Sequence, residues 1–243
     1  MTYCVGMRLN RGLVFMADTR TNAGVDDISR VKKITNWCKP GERVITLLSA
    51  GNLATTQAVI SLLDERSKAP KDRNPSILAA PSMFQVVTII GQTLREVVRE
   101  RAGEGPKAAS PFAATLIVGG QIKGSEPRLF MIYPEGNFIE AGDDTPFFQI
   151  GETKYGRPIL VRAFDPGKSF EEAVRLLMVS FDSTIRANLA VAPPLDLVVH
   201  ERNAYRLGTE RRFEADDPYF RTISNGWSQA LRAAIDGLPQ FSF

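Results

Sequence analysis

Thr2 can do chemistry because of where it stands in the chain. It follows Met1, and aminopeptidases remove a methionine when the next side chain is small. Removal of Met1 would leave a threonine with a free α-amino group, so that the hydroxyl is the nucleophile and the amine of the same residue is its base. We therefore expect Thr2 to become the amino terminus, with no propeptide before it. A threonine at position 2 is common, so the hypothesis depends on partners further along the chain.

Two charged residues downstream stand at spacings that suit this nucleophile. Strand-like runs at Thr2–Asn10 and Leu13–Asp18 predict a hairpin that returns Asp18 to the level of Thr2. A third strand could then bring Lys33 beside both. An ammonium group lowers the pKa of neighbouring groups, and Asp18 would hold Lys33 charged and aimed. The alternative is a surface ion pair of little energetic consequence.

Short motifs resemble, in order, the amino-terminal signature of proteasome β-subunits and their bacterial relatives. They are Thr2, Gly12, Ala17-Asp18-Thr19-Arg20, Ala23-Gly24 and Val31-Lys32-Lys33, followed by a strand-to-helix turn at Leu48–Ala54. The run Gln149–Gly156, the tail beyond His200 and the expected absence of a propeptide resemble the Anbu-type, or ancestral β-subunit, bacterial branch. The resemblance covers roughly Thr2 to Leu207.

The resemblance implies the site of an N-terminal-nucleophile hydrolase. Thr2 matches the nucleophile, Lys33 matches the lysine that lowers the pKa of its hydroxyl, and Asp18 matches the acid that orients this lysine. Gly51 matches a turn glycine whose backbone N–H donates to the oxyanion of a tetrahedral intermediate. No metal and no organic cofactor is implied.

The specificity pocket of the family maps onto neutral residues in this chain, which are Thr21, Val31, Ser49 and Leu53. Their character predicts a preference for neutral substrate residues and argues against a pocket with a buried carboxylate. Asn22 and Gly51 would offer main-chain groups to a substrate that binds as an added strand.

The helper positions around the terminal amine depart from the family pattern. Proteasome β-subunits hold this amine with a serine ahead of a short turn and with an Asp-x-x-Ser pair late in a helix. The corresponding residues are Glu152, Asn188 and Val191. Asn188 can still accept a hydrogen bond, Glu152 adds an ionisable group, and Val191 can do neither, which leaves the rate of peptide cleavage open. Asp182 is a weaker match than Asn188, because the register of the following strand favours Asn188.

Composition excludes several classes of protein. The 243 residues carry a formal net charge of +3, which is too small to argue for a nucleic acid or a membrane surface as partner. The start of the chain lacks the basic region and cleavage site of a signal peptide, and we expect a cytoplasmic protein. Cys4 and Cys38 provide neither metal-ligand spacing nor a disulfide framework. A single histidine, His200, with no nucleophile-elbow serine disfavours a Ser-His-Asp hydrolase and excludes a zinc peptidase.

The order of predicted elements indicates an α+β fold of four layers, αββα, with two stacked, mainly antiparallel sheets between helices. No linker divides the chain, so we expect one domain over residues 1–243 with a C-terminal helical extension at about 208–243. The predicted strands after the hairpin are Val31–Trp37, Arg43–Ser49, Ala113–Gly119, Leu129–Tyr133, Phe138–Ala141, Phe147–Ile150, Leu195–His200 and Tyr205–Leu207. The predicted helices are Asn52–Ser67, Ser82–Gly103, Thr153–Ala163, Phe170–Asn188 and Tyr219–Asp236, with Ser82 and Ser169 as N-caps and Asp217 and Gly237 bounding the last.

The sequence thus predicts a proteasome-like threonine peptidase that cleaves peptide bonds through Thr2. One alternative is an amidase for a specialised amide or isopeptide bond, and another is a ring-forming scaffold with a weak or vestigial site. The resemblance also implies a homo-oligomer, as a ring or an open ring, while the natural substrate and any unfolding partner stay open.

Overall fold

The computed structural model describes residues 2–22, 28–68, 75–102 and 110–242. The strands are β1 (Tyr3–Leu9), β2 (Gly12–Asp18), β3 (Arg20–Asn22), β4 (Ile28–Arg30), β5 (Ile34–Lys39), β6 (Arg43–Gly51), β7 (Ala114–Ile122), β8 (Arg128–Ile132), β9 (Phe138–Glu140), β10 (Phe147–Gly151), β11 (Leu195–Glu201) and β12 (Thr209–Phe213). The helices are α1 (Leu53–Lys68), α2 (Met83–Arg101), α3 (Arg157–Ala163), α4 (Phe170–Ala187) and α5 (Pro218–Asp236). The motif residues Ala23 and Gly24 lie outside the described residues.

The strands form two five-stranded antiparallel sheets and one small ribbon. The first sheet has the order β10-β1-β2-β11-β12, and the second has the order β5-β6-β7-β8-β9. The strands β3 and β4 pair only with each other and connect the two sheets along the chain. The strand that follows Thr2 therefore belongs to the first sheet, and the strand that follows Lys33 belongs to the second.

Successive side chains of a strand point to opposite faces of its sheet, and this alternation produces the four layers. Along β1, Tyr3 and Val5 pack under α3 and α4, while Cys4 between them faces the second sheet. Along β6, Leu47 packs under α1 and α2, while Leu48 faces the first sheet. Each sheet thus has one face on helices and one face on the other sheet, and the predicted αββα sandwich is confirmed.

The helix ends follow the signals in the sequence. Ser82 accepts a hydrogen bond from the backbone of the first turn of α2, and Ser169 forms a capping box at the start of α4. Asp217 caps α5, and Gly237 ends it. These four end positions match the prediction.

Two predicted elements begin later than expected, and a third is not a strand. The strand expected at Val31 begins only at Ile34, since the preceding residues connect the ribbon to the second sheet. The strand expected at Tyr205–Leu207 is absent, because Tyr205 has a φ of 46°, which a strand does not allow; β12 follows instead. The helix expected from Thr153 begins at Arg157, next to the proline at the second helical position.

His200 links the two sheets through a buried hydrogen bond. Its Nε2 lies 2.6 Å from Oγ1 of Thr46 on β6. The Thr46 hydroxyl donates its single proton to Oδ1 of Asn36, so His200 must be the donor at Nε2. Burial lowers the pKa of His200 from 6.5 to about 4, and the imidazole is therefore neutral at physiological pH.

The C-terminal helix α5 rests on α4 only through its first half. Phe220 and Ile223 join the core beneath α4, and Ser224 accepts a hydrogen bond from Arg186. From Gln229 to Ser242 every residue is exposed, including Leu231, Ile235, Leu238 and Phe241. No helix in the described part of the chain combines the length and the apolar character needed to cross a bilayer.

Candidate active site

The β1–β2 hairpin brings Asp18 to the start of the chain. Cys4 pairs with Ala17 across the hairpin, so the next position along each strand places Tyr3 opposite Asp18. The backbone N–H of Tyr3 donates to Oδ1 of Asp18 at 2.9 Å. The expected return of Asp18 to the level of Thr2 is therefore what the structure shows.

Lys33 reaches the same carboxylate from the connection between the two sheets. Its Nζ lies 2.7 Å from Oδ1 of Asp18 and 2.6 Å from the carbonyl oxygen of Arg20. The backbone of this connection is held on both sides, because Val31 N–H donates to Thr19 and Lys33 C=O accepts from Ser49. Asp18 is fully buried and Lys33 is 5% exposed, so the pair is not a surface ion pair.

Burial dominates the electrostatics of Asp18. It raises the pKa of the carboxyl above the ordinary value, and the Lys33 ammonium and the Tyr3 N–H oppose this rise by stabilising the charged form. Lys33 thus supplies the only described side-chain cation within hydrogen-bonding distance of Asp18. A lysine held in this way is aimed by its partner and cannot swing into solvent.

Thr2 is held by its own backbone against the end of β10. Its carbonyl oxygen accepts from the N–H of Glu152 at 2.7 Å. Gly151 has a φ of +83°, and a Cβ there would lie 1.9 Å from the Thr2 carbonyl oxygen. Only glycine allows this close approach, and it fixes the height of Thr2 above the sheet.

Tyr3, the residue after Thr2, is anchored by its own side chain. Its hydroxyl lies 2.7 Å from Oγ of Ser180 on α4 and accepts from Gln149 on β10 at 2.5 Å. Its ring packs on Phe181 with the centroids 4.5 Å apart. Burial raises the pKa of Tyr3 to about 12, so the phenol stays protonated. Sequence reasoning missed this anchor, since a tyrosine in a strand gives no signal of its hydrogen-bond partners.

Gly51 ends β6 with its backbone exposed to the site. Its φ is +116°, and a Cβ would lie 2.5 Å from the carbonyl oxygen of Ala113. Asn52 then caps α1, because its Oδ1 accepts from the N–H of Thr55 at 2.9 Å. The turn therefore requires glycine, and it places Gly51 in the lining of the cleft directly before the start of a helix.

Thr2, Lys33 and Gly51 line one cleft of about 340 Å³. The cleft is also lined by the four predicted pocket residues Thr21, Val31, Ser49 and Leu53, together with Lys32, Ala50, Thr56, Gln57, Ile60 and Gly151. The side chain of Asn22 lies outside the described residues. The structure thus brings the predicted pocket and the predicted nucleophile together, but Lys32 adds a cation that the expectation of a neutral pocket did not include.

The two predicted helper residues contact each other. Nδ2 of Asn188 donates to Oε2 of Glu152 at 2.9 Å, and Oδ1 of Asn188 accepts from the N–H of Ala190. Glu152 therefore stands beside Thr2 with its side chain tied to the end of α4. Val191 is buried in the core, and Asp182 is paired with Arg186 on its own helix at 3.1 Å. None of these four residues, Glu152 and Asn188 included, is among the described residues that line the cleft.

The chain matches known proteins over most or all of its length. Residues 2–193 match the family model described as "Proteasome subunit". A mutant Anbu protein from Hyphomicrobium sp. strain MC1 is 51% identical, with a TM-score of 0.92 and 100% of both chains covered. Anbu (ancestral beta-subunit) from Yersinia bercovieri is 43% identical, with a TM-score of 0.92, covering 99% of this chain and 100% of that one.

A third similar structure is described as a helical assembly of the Anbu complex from Pseudomonas aeruginosa. It is 43% identical, with a TM-score of 0.91, and the match covers 99% of this chain and 98% of that one. No curated protein matches the chain. From the family model and these full-length structural matches, the chain belongs to the proteasome family, within its Anbu-type, or ancestral β-subunit, branch.

Proposed function

We propose that the protein is a threonine hydrolase that cleaves peptide or other amide bonds through Thr2, exposed by removal of Met1. One observation carries the proposal: the Lys33 ammonium, held 2.7 Å from a fully buried Asp18, lines the same cleft as Thr2 and Gly51. Membership of the proteasome family supports a hydrolase of this type. The cleft is open to solvent and large enough for several atoms of an extended chain.

In the proposed reaction the Thr2 hydroxyl attacks the substrate carbonyl. Its proton passes to its own α-amine, directly or through a water, while Lys33 lowers the pKa of the hydroxyl. The oxyanion accepts a hydrogen bond from the Gly51 N–H. Collapse of the tetrahedral intermediate expels the amine of the substrate, which takes the proton from the Thr2 ammonium. Water then cleaves the acyl-enzyme ester and regenerates the hydroxyl.

Glu152 and Asn188 are proposed to take the place of the missing helper serines. Their mutual hydrogen bond and the contact from Glu152 N–H to the Thr2 carbonyl support this role. The Glu152 carboxylate would favour the ammonium form of the α-amine, which a neutral serine would not. This departure from the helper serines is the reason for a second candidate function, an amidase for a specialised amide or isopeptide bond.

The protein is also proposed to assemble with copies of itself into a ring or an open ring. The exposed apolar side chains on the second half of α5 support an interface there. The helical assembly formed by the similar protein from Pseudomonas aeruginosa supports an open arrangement. Head-to-tail contacts need not close, so an open ring and a helix are related outcomes.

The function is tested by intact mass with a threonine-directed covalent probe, either a β-lactone or a peptidyl epoxyketone. Wild-type protein whose amino terminus is verified as Thr2 should gain the mass of one probe per chain. Thr2→Ala should gain none, and Thr2→Ser serves as the control that keeps a hydroxyl and should still react. Correctly processed wild type that gains no mass with either probe contradicts a hydrolytic Thr2 and leaves the ring-forming scaffold as the remaining function.

A further inference from the structure

The charges that line the cleft are all positive. Of the lining residues, only Lys32 and Lys33 are charged, and the described lining includes no carboxylate. Asp18 and the Arg20 carbonyl already satisfy Lys33. Lys32 is therefore the cation that a substrate group can meet.

Lys32 has a fixed backbone and an accessible side chain. The residues on either side of it are pinned, Val31 by its N–H to Thr19 and Lys33 by its carbonyl to Ser49. Its side chain is 55% exposed and lines the cleft next to Val31. The ammonium can thus move by rotation of the side chain, but the Lys32 backbone stays beside the predicted pocket.

Glu210, on strand β12, holds Lys32 only loosely. Its Oε2 lies 3.7 Å from the Lys32 Nζ, which is about 1 Å longer than a charge-assisted hydrogen bond. Its other oxygen, Oε1, accepts from Nδ2 of Asn36 at 2.8 Å. A second carboxylate could therefore approach Lys32 while Glu210 stays on Asn36.

We propose that Lys32 makes the cleft favour substrates with a carboxylate on the residue whose carbonyl is attacked. The substrate class is then a peptide or amide with an acidic, Asp- or Glu-like, acyl-side residue. This inference rests on the proposed function of Thr2 as nucleophile. It replaces the neutral preference expected from Thr21, Val31, Ser49 and Leu53 alone.

The test compares two peptidyl epoxyketones that differ only in the residue next to the warhead, which is glutamate in one and glutamine in the other. The two side chains have nearly the same shape, so the ratio of their second-order labelling rates reports charge. For wild type we expect the glutamate probe to react about fivefold faster, near the upper limit for one solvent-exposed ion pair. High salt should reduce this ratio, since it screens exposed charges.

Variants of the pair separate the charge of Lys32 from its bulk. Lys32→Met should bring the ratio close to one, Lys32→Arg should keep it, and Glu210→Gln should raise it. Lys68→Met is the matched control, because Lys68 is an exposed lysine on α1 that pairs with Glu65 and does not line the cleft. The rate with the glutamine probe shows in every variant whether the protein is folded and reactive.

The labelling rates distinguish a failure of the carboxylate preference from a failure of the proposed Thr2 nucleophile. If the glutamine probe labels wild type and the glutamate probe is no faster, the carboxylate preference is wrong and the nucleophile stands. The preference is equally wrong if Lys32→Met keeps the wild-type ratio. If neither probe labels correctly processed wild type, the proposed function is wrong and the carboxylate preference is lost with it.

Discussion

The ammonium nitrogen of Lys33 lies 2.7 Å from Oδ1 of Asp18, and the two residues arrive from different sheets of the sandwich. Asp18 ends a strand of the first sheet, and Lys33 stands directly before the first strand of the second. Their contact therefore joins the sheets at the edge where the cleft opens. The same pair serves the proposed chemistry and the packing of the fold.

Replacing Asp18 by asparagine should reduce both the stability of the fold and the reactivity of Thr2. It leaves Lys33 buried without a counter-charge, so we expect a loss of about 3–5 kcal/mol in the free energy of unfolding. Probe labelling should fall by several orders of magnitude, as for residues that act as one unit. Chemical denaturation and intact mass measure the two effects.

Two further variants test the cause. Asp18→Asn combined with Lys33→Met removes both charges and should recover much of the stability but none of the labelling. Asp143→Asn breaks the solvent-exposed pair with Arg8 and should cost at most about 1 kcal/mol. Equal costs for Asp18→Asn and Asp143→Asn would contradict the importance of burial.

Gly151→Ala should displace Thr2. The new Cβ would lie 1.9 Å from the Thr2 carbonyl oxygen, and φ at this position is +83°, so we expect a cost of about 1–3 kcal/mol and a strong loss of labelling. Gly142→Ala is the control, because a Cβ there meets nothing within 4 Å. A Gly151→Ala protein that reacts like wild type would show that the Thr2–Glu152 contact does not set the position of the nucleophile.

Glu152→Gln should shift the pH dependence of labelling. The Thr2 amine acts as base only when neutral, and a free α-amine has a pKa of about 8. A nearby carboxylate favours the ammonium form, so its removal should lower the pKa of the amine and move the rising limb of the rate toward lower pH by up to about one unit. Asn188→Ala, which frees Glu152 without removing its charge, should leave the limb near the wild-type position. An unchanged limb in Glu152→Gln would exclude Glu152 from the surroundings of the amine.

His200 should make the fold sensitive to mild acid. Its pKa falls from 6.5 in the unfolded chain to about 4 in the fold, so the unfolded chain binds more protons between these values. The contribution of neutral His200 to the free energy of unfolding is therefore fully present above pH 6.5. It should fall by about 3 kcal/mol as the pH drops to 4.

The control for this pH effect is His200→Gln, which can still donate a hydrogen bond to Thr46 but does not titrate in this range. The difference in unfolding free energy between wild type and variant, followed from pH 8 to pH 4, isolates the histidine from the carboxylates. A difference that does not change with pH would mean that the buried imidazole has an ordinary pKa.

The exposed half of α5 should be covered in the assembly. Leu231 and Ile235 are 44% and 58% exposed and lie one turn apart. Leu231→Asp with Ile235→Asp should reduce the mass in solution while changing the stability of the subunit little, since exposed substitutions are usually within about 0.5 kcal/mol. Gln229→Asp, on the same exposed half of the helix, is the matched control. An unchanged mass in the double variant would place the subunit contacts elsewhere.

The sequence predicted the parts of the site that depend on local pattern. The hairpin register places Asp18 beside Thr2 because the short turn between Leu9 and Gly12 determines how the two strands pair. Asp217 and Gly237 bound α5 because capping is also local. The assignment of one domain with a C-terminal extension, the site roles and the cytoplasmic location stay predictions.

The parts that the sequence missed depend on contacts between distant segments. Strand β12 is almost wholly exposed, with only Phe213 buried, so it lacks the apolar pattern that marks a strand. Lys32 is a surface lysine by every local criterion, and only the packing of the second sheet makes it line the cleft. The pairing of Glu152 with Asn188 joins residues 36 positions apart, which no local pattern indicates.

Because Lys33 lies between the sheets, the rate of probe labelling depends on the relative position of the two sheets. Thr2 precedes a strand of the first sheet, while Lys33 and Gly51 flank strands of the second. A shift of about 1 Å of one sheet relative to the other would separate these groups while every strand and helix stayed intact. On warming, labelling by a threonine-directed probe should therefore fade before circular dichroism reports any loss of secondary structure.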